Sequence, residues 1–404
     1  MENRRPNDWK QAVTNEEILN AVAEVEHRVI EIRHHLHRRP ELGLQETETS
    51  AFVARELDAL QLNVTRNIYG TGVCALLESS RSGAGTILLR ADMDALPIQE
   101  RTGLPFASEI PGVMHACGHD GHTAILLGTA MVLSRFRDVI PGNVKFLFQP
   151  AEETEGGAAG MIEEGVLENP KVEAAVGLHL WGSAPSGIVE YKSGPLMASP
   201  DVFLIRIVGK GGHAAMPHAC VDPVPVAATI IQQLQTVVSR RVDPLDSVVI
   251  SVCRVEAGNT HNVIPDEAVL EGTVRALTPE VRAAIPVMIE SIAQQAAAMH
   301  GAECFLEYTY RYPPLVNDKT ITDLVRRSAT DVLGADRVRE VARPNMGGED
   351  FAYFAQAVPS SFFFLGIAPS ETEIVRHHHP EFRVDDKVLK DGIAIFCRAV
   401  CDFF

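Results

Sequence analysis

Apolar residues recur at three- and four-residue spacing between Asn15 and Arg39. Ile18, Val22, Val25, Val29, Ile32 and Leu36 fall on one face. That period predicts an amphipathic helix, and Pro40 ends it because proline cannot continue the backbone ladder. A second helix is expected over Glu46–Leu60. The pattern then changes to short apolar runs of strand length at Val73–Leu77, Thr86–Leu89, Val144–Phe148 and Val172–Leu178. A helix-like run, His122–Phe136, lies between the middle two. Strands alternating with helices predict a mostly parallel sheet with helices on its faces. Open sheets of that kind place ligands at the carboxyl ends of their strands.

From Asp201 the order changes. It reads strand (Val202–Val208), helix (Pro223–Arg240), strand (Val248–Val255), strand (Ala268–Arg275), helix (Pro279–Met299), strand (Cys304–Tyr310). A β-α-β-β-α-β order predicts a two-layer sandwich of ferredoxin-like type. Pro313-Pro314 closes it, and from Thr320 the α/β texture resumes with an apolar run at Phe362–Leu365. The expected fold is therefore α/β. Residues 1–196 and 315–404 form a mixed, mostly parallel sheet flanked by helices, and residues 197–314 form an inserted two-layer α+β domain. A chain of 404 residues suits two cores better than one.

Composition narrows the class. With 46% hydrophobic and 22% charged residues the chain reads as soluble and globular, and no run is long and apolar enough to span a bilayer. A formal charge of −17 argues against nucleic acid and anionic membrane as partners. Seven cysteines (Cys74, Cys117, Cys220, Cys253, Cys304, Cys397, Cys401) are scattered without a Cys-x-x-Cys pair, which is free-thiol usage. Met1–Lys10 is polar and has no apolar core of a secretory signal, so the cytoplasm is the expected compartment.

The densest chemistry is Met114-His115-Ala116-Cys117-Gly118-His119-Asp120-Gly121-His122. Three histidines, a cysteine and an aspartate within nine residues supply the soft and borderline ligands a metal site needs. Phe148-Gln149-Pro150-Ala151-Glu152-Glu153 follows an apolar strand. Neighbours in extended chain face opposite ways, which suits Glu152 and Glu153 to different jobs, one on metal and one on the attacking water. Gly177-Leu178-His179-Leu180-Trp181 is a third cluster at a strand end, and His377-His378-His379-Pro380 a fourth. In Leu89–Pro97, Asp92 and Asp94 are candidate acceptors for ligand imidazoles, or turn residues. Each cluster alone reads as a solvated turn or a satisfied core histidine. Together they favour a metal site.

These residues resemble the M20 metallopeptidase family, in its amidohydrolase branch of hippurate hydrolases, N-acyl-amino-acid amidohydrolases and auxin-conjugate hydrolases. The likeness spans nearly the whole chain. It runs through His37-Arg38-Arg39-Pro40-Glu41-Leu42-Gly43, Arg90–Pro97, Met114–His122, Gln149–Glu153, Gly209–His218, Asn262–Pro265, Gly347–Phe351 and His378-His379-Pro380. It implies a zinc-peptidase-like catalytic domain with the insert as lid and dimerisation domain. It implies two divalent ions, Zn²⁺ or Mn²⁺ with Co²⁺ and Ni²⁺ open, held by Cys117, His119, Glu153, His179 and His378, with the Cys117 thiolate a candidate bridge. His377 and His379 are then bystanders.

By the same resemblance Glu152 is the general base, and His213, reaching the site from a partner subunit, is the oxyanion donor. Asn262, Arg275 and Gly347 contact the substrate. The implied reaction is hydrolysis of the amide of an N-acyl amino acid by a homodimer or homotetramer. Asp385-Asp386 departs from the acidic pair ending in Glu that the branch leads one to expect. Other readings are Cys117 as a thiol nucleophile with His119 or His122 as base, a dipeptidase or desuccinylase, and a non-catalytic metal- or peptide-binding relative. Nothing indicates the acyl group: benzoyl, acetyl, fatty acyl and indole-acetyl all stand.

Overall fold

Thr14 opens the first helix, α1 (Asn15–Arg38), with a capping box. Its hydroxyl accepts the Glu17 N–H, and the Glu17 carboxylate accepts the Thr14 N–H. The buried face of α1 carries the six apolar residues of the sequence period. The computed structural model describes residues 13–79, 84–370 and 372–404, so the polar stretch Met1–Lys10 lies outside it. Among the described residues no helix is long and apolar enough to cross a membrane.

Among the described residues, the larger of two compact units comprises the chain up to Gly194, Asn317–Ala342 and Tyr353–Phe404. After α1 come α2 (Thr47–Ala59), β1 (Asn63–Ile68), β2 (Gly72–Leu77), β3 (Thr86–Asp92), α3 (His119–Arg135), β4 (Asn143–Gln149), α4 (Gly157–Glu163), β5 (Ala174–Pro185) and β6 (Val189–Tyr191).

The smaller unit is Pro195–Val316 with Arg343–Ala352. It holds β7 (Ser199–Val208), α5 (Pro223–Thr236), β8 (Val248–Ala257), β9 (Glu267–Ala276), α6 (Pro279–Met299) and β10 (Glu303–Thr309). Its sheet runs β8-β9-β7-β10, antiparallel throughout. Burial alternates along β7 and β9, the pattern of a sheet packed on one face only. That core joins Phe203, Ile205, Ile207, Leu270 and Val274 of the sheet to Val226, Ile230, Ile285 and Ile289 of the helices. Asp201 is fully buried, and its carboxylate accepts both Arg282 nitrogens (2.8 and 2.7 Å), the Tyr308 hydroxyl (3.1 Å) and the Arg311 N–H (2.9 Å). Arg343–Ala352 joins this unit through Asn345 N–H to Leu196 O (2.8 Å) and Ala198 N–H to Gly347 O (2.9 Å).

The chain then completes the larger unit with α7 (Lys319–Leu333), β11 (Val338–Glu340), β12 (Ser360–Ala368) and α8 (Leu389–Phe403). Its eight-stranded sheet runs β1-β2-β4-β3-β5-β12-β6-β11. The four central strands, β4, β3, β5 and β12, are parallel, while β1, β2 and β6 pair antiparallel. Every residue of β3 and of β12 is buried. A parallel strand covered on both faces needs apolar side chains both ways, which is why these segments read as continuous runs.

Candidate metal centre

β3 ends at Asp92, β4 ends at Gln149, and β5 loses its pairing with β3 after Gly177. Asp94, Glu152 and Glu153 therefore lie past the carboxyl ends of their strands, and His179 lies beyond the last β3–β5 pair. His179 sits inside β5, opposite Phe364 of β12, not at the strand's end as the sequence reading had it. Glu152 and Glu153 are not in extended chain either: they occupy a turn that starts at Ala151, whose φ is +56°. Their separation comes from that turn and not from strand alternation. Cys117 and His119 flank Gly118 (φ +99°), a backbone state that glycine adopts without the Cβ clash.

Helix α3 begins at His119, and its first turn is tied to α1. Asp120 Oδ2 accepts Arg33 Nε–H (3.0 Å) and His37 Nδ1–H (2.9 Å). Burial alone would raise the Asp120 carboxyl, but the charges of Arg33 and His37 hold it well below the usual carboxylate range. Arg33 also bridges to Asp386, and His34 Nε2 lies 2.7 Å from that carboxylate.

Hydrogen-bond partners assign the imidazole tautomers and so decide which nitrogens keep a free lone pair. His119 Nδ1 donates to Asp94 Oδ1 (3.2 Å), leaving Nε2 as the free nitrogen. His179 Nδ1 donates to the Leu180 carbonyl (2.9 Å), leaving Nε2, which lies 3.4 Å from Cys117 Sγ. His122 has no free nitrogen: Nδ1 donates to Asp92 Oδ1 (2.6 Å) and Nε2 accepts the Leu180 N–H (2.8 Å). His377 Nε2 accepts the Gly182 N–H (2.9 Å), so its Nδ1 carries the proton and points at Cys117 Sγ, 3.7 Å away. His378 Nε2 lies 2.9 Å from Glu153 Oε1, with its side chain 52% exposed.

Cys117, His119 and Glu153 thus form one group of ligand atoms within 4.8 Å of one another; Cys117 and His179 lie equally close to His377, whose lone pair the Gly182 N–H already uses. His119 Nε2 is buried with no hydrogen-bond partner, and lies 3.7 Å from Asp92 Oδ2 and 3.9 Å from Glu153 Oε1. An unpaired buried nitrogen facing two carboxylates is where a cation is wanted. The electrostatics agree. Burial disfavours a charge on His119, yet Asp92, Asp94 and Glu153 outweigh it and raise its pKa to about 10. Burial keeps His179 neutral, with its pKa well below the usual value. A thiolate, imidazoles and carboxylates fit divalent zinc-like ions, so the residues present suit the group. Burial, then the Glu153 and Glu152 carboxylates, push the Cys117 thiol well above its ordinary pKa.

Of the residues singled out in the sequence, Cys117, His119, Glu153, His179 and His378 gather here with Glu152, which is 7% exposed. Asp94 holds His119 and accepts the Glu153 N–H (3.0 Å). Asp92 serves His122 and Arg90 (2.6 Å). The sequence reading left His377 a bystander; the triple histidine was visible, but the Gly182 contact that sets its tautomer was not.

In the smaller unit, His213 and Asn262 lie side by side: His213 pairs with Val263, and Ala214 N–H donates to Asn262 O (3.1 Å). His213 Nδ1 accepts the Ala215 N–H (3.0 Å), so Nε2 is its donor. Arg275 stands in β9 between Val249 and Pro200, half-buried, with burial lowering its pKa. Gly347 N–H donates to Asn345 Oδ1 (2.6 Å).

Known proteins are similar to this chain in sequence and in fold. N-acetyl-L-cysteine deacetylase of Bacillus subtilis is 42% identical over 365 residues, 90% of this chain and 85% of that protein. N-acyl-L-amino acid amidohydrolase of Geobacillus stearothermophilus is 46% identical over 307 residues, 76% of this chain and 82% of the other. The crystal structure of a Bacillus subtilis dinuclear metal-binding peptidase from the M20 family superposes with a TM-score of 0.82 at 39% identity, covering 94% of this chain and 98% of that one. The sequence profile of peptidase family M20/M25/M40 matches residues 88–402, which spans every cluster of the candidate centre, and the chain belongs to that family.

Proposed function

We propose that this protein hydrolyses the amide bond of N-acyl amino acids, releasing a carboxylic acid and a free amino acid. The observation that carries the reading is the unpaired His119 Nε2, buried among Cys117, Glu153 and Asp92 next to the Glu152 turn. Two relatives above 40% identity that act on N-acyl amino acids support the substrate class. Cys117, His119, Glu153, His179 and His378 would hold two divalent ions. Zn²⁺ suits a thiolate with imidazoles best, and Mn²⁺, Co²⁺ and Ni²⁺ are the competitors. When bound, the ions supply Lewis acidity to the amide carbonyl and acidify the attacking water.

The chain's own residues do the rest. Glu152 takes a proton from the attacking water and returns it to the leaving amine. His213, with its proton on Nε2, donates to the developing oxyanion; a donor of this kind is worth about 3–4 kcal/mol in the transition state. Arg275 and Asn262 read the substrate carboxylate, with Gly347 beside them. Asp94 fixes the His119 ring and the Glu153 backbone. The working unit is a homodimer or homotetramer in the cytoplasm, with the smaller unit as lid and dimerisation domain.

The test is Glu152→Gln assayed on a panel of N-acetyl, N-benzoyl, N-fatty-acyl and N-indole-acetyl amino acids alongside dipeptides and N-succinyl compounds, with metal content measured. The expected result is turnover of N-acyl amino acids by the wild type and its loss in the variant at unchanged metal content. Wild-type turnover in the variant, or no turnover of any acyl amino acid by the metal-loaded wild type, overturns the reading.

A further inference from the structure

Glu46 stands immediately before α2, where a side chain would normally cap the helix, yet it makes no cap hydrogen bond. It is fully buried instead. Its Oε2 accepts the Thr71 hydroxyl proton (2.6 Å), and its Oε1 accepts the backbone N–H of Ala151 (2.9 Å). A buried carboxylate is costly to desolvate unless its oxygens are hydrogen-bonded, so its place in the core needs a reason beyond packing. Burial pushes the carboxyl up to about 7, against the pull of the Thr71 and Ala151 donors.

Ala151 is the residue that turns the chain after β4. Its φ of +56° is left-handed backbone, which a residue with a Cβ adopts only when its surroundings enforce it. Two bonds brace it, Glu46 to its N–H and Gly156 N–H to its carbonyl (2.9 Å). Gly43 packs on the same turn so closely that any Cβ there would collide with Thr154 Oγ1 and crowd the Ala151 Cα. The segment also holds the other acidic turn, since Ala95 N–H donates to Glu41 O (2.8 Å). Residues 41–46 are therefore a common brace for the turn carrying Asp94 and the turn carrying Glu152.

We infer that Glu46 is a positioning residue for Glu152: its carboxylate fixes the left-handed Ala151 turn and so aims the Glu152 side chain. The inference rests on the reading of Glu152 as the base. Glu46→Ala removes the acceptor, whereas Glu46→Gln keeps an oxygen for the Ala151 N–H and an amide for the Thr71 hydroxyl.

The experiment measures kcat, KM, metal content and backbone hydrogen exchange of the 146–158 peptide in the full-length protein. For Glu46→Ala the expected result is a kcat at least tenfold lower, KM within threefold and unchanged metal content. The 146–158 peptide should exchange at least tenfold faster while α1 and the smaller unit stay as in the wild type. Glu46→Gln should restore kcat to within threefold. If Glu46→Ala does not fold, Glu46→Asp, which draws the carboxylate back by one methylene, is read by the same criteria. A kcat within twofold of wild type, loss of metal, general acceleration of exchange, or no rescue by Glu46→Gln overturns the inference. Glu152→Gln run in parallel separates the two failures. If it retains turnover, the base assignment fails and takes this inference with it. If it is inactive while Glu46→Ala is normal, only the role of Glu46 falls.

Discussion

Gly182 gives its backbone N–H to His377 Nε2 at 2.9 Å, and this one bond divides the labour of two adjacent histidines. It uses the His377 lone pair and turns the opposite N–H toward Cys117 Sγ. His378 keeps Nε2 directed to Glu153. His378→Ala should therefore lose bound metal and lower activity by more than about 100-fold, while His377→Ala should keep both ions and lose about 10–100-fold in metal affinity, as removal of an outer partner does. Metal stoichiometry by elemental analysis, with competitive chelator titration, separates the two. Equal metal loss in both variants would contradict the division.

Gly182 is constrained as tightly as the bond it makes. Any Cβ there would collide with the Val375 carbonyl, whose residue pairs back through Val375 N–H to Gly182 O (2.9 Å). Gly182→Ala should push the strand edge and the His377-His378 loop apart. The expected cost is about 1–3 kcal/mol of stability, the size of an overpacked buried site, together with weaker metal retention. Denaturant unfolding and metal analysis check both.

Asp94 has two duties, the His119 ring and the Glu153 backbone. Asp94→Asn can still accept one of them but weakens the hold on the His119 tautomer. Metal affinity should fall about 10–100-fold with the fold intact by circular dichroism. An unchanged affinity would show that His119 is oriented by other contacts.

His37 makes the stability of the larger unit depend on pH. Burial alone would lower its pKa, but the Asp120 charge and the hydrogen bonds to Asp120 and Glu100 (3.3 Å) raise it to about 9. A group whose folded pKa exceeds its unfolded value of about 6.5 stabilises fully below that value and loses the contribution as pH rises through the folded pKa. Stability should therefore fall by up to about 3 kcal/mol between pH 6.5 and pH 9 or above. In His37→Gln that slope should flatten. Urea unfolding across this window, with the metal held constant, reads it.

Much of this was legible in the sequence, for identifiable reasons. The period of Ile18, Val22, Val25 and Val29 marks α1 because one face of it is buried. The continuous runs of β3 and β12 mark strands covered on both faces. The ligand clusters were legible because unlike residue types crowd into short segments after such runs. What escaped were the features made by backbone donors from distant segments. His377 owes its tautomer to Gly182 and His122 owes its own to Leu180, while Glu46 reaches Ala151 across 105 positions. No local pattern encodes a hydrogen bond to a backbone N–H far along the chain. The turn at Glu152 and Glu153 was misread as extended because alanine carries no sign of a left-handed backbone.

The donors around Cys117 are spread very unevenly along the chain. Cys117, His119, Glu153 and His179 arrive within one stretch, but His377 is 260 positions from Cys117 and His378 follows it. During synthesis at about 5–20 residues per second, the first four donors wait some 10–40 s for the fifth. For that interval the nascent polypeptide presents a thiol and imidazoles without their last neighbour. Ribosome-bound chains truncated before residue 376 should then capture zinc weakly and release it to chelators far faster than the finished protein. On the proposed ligand set, metal acquisition would be a late event of biosynthesis, timed by the arrival of the C-terminal loop.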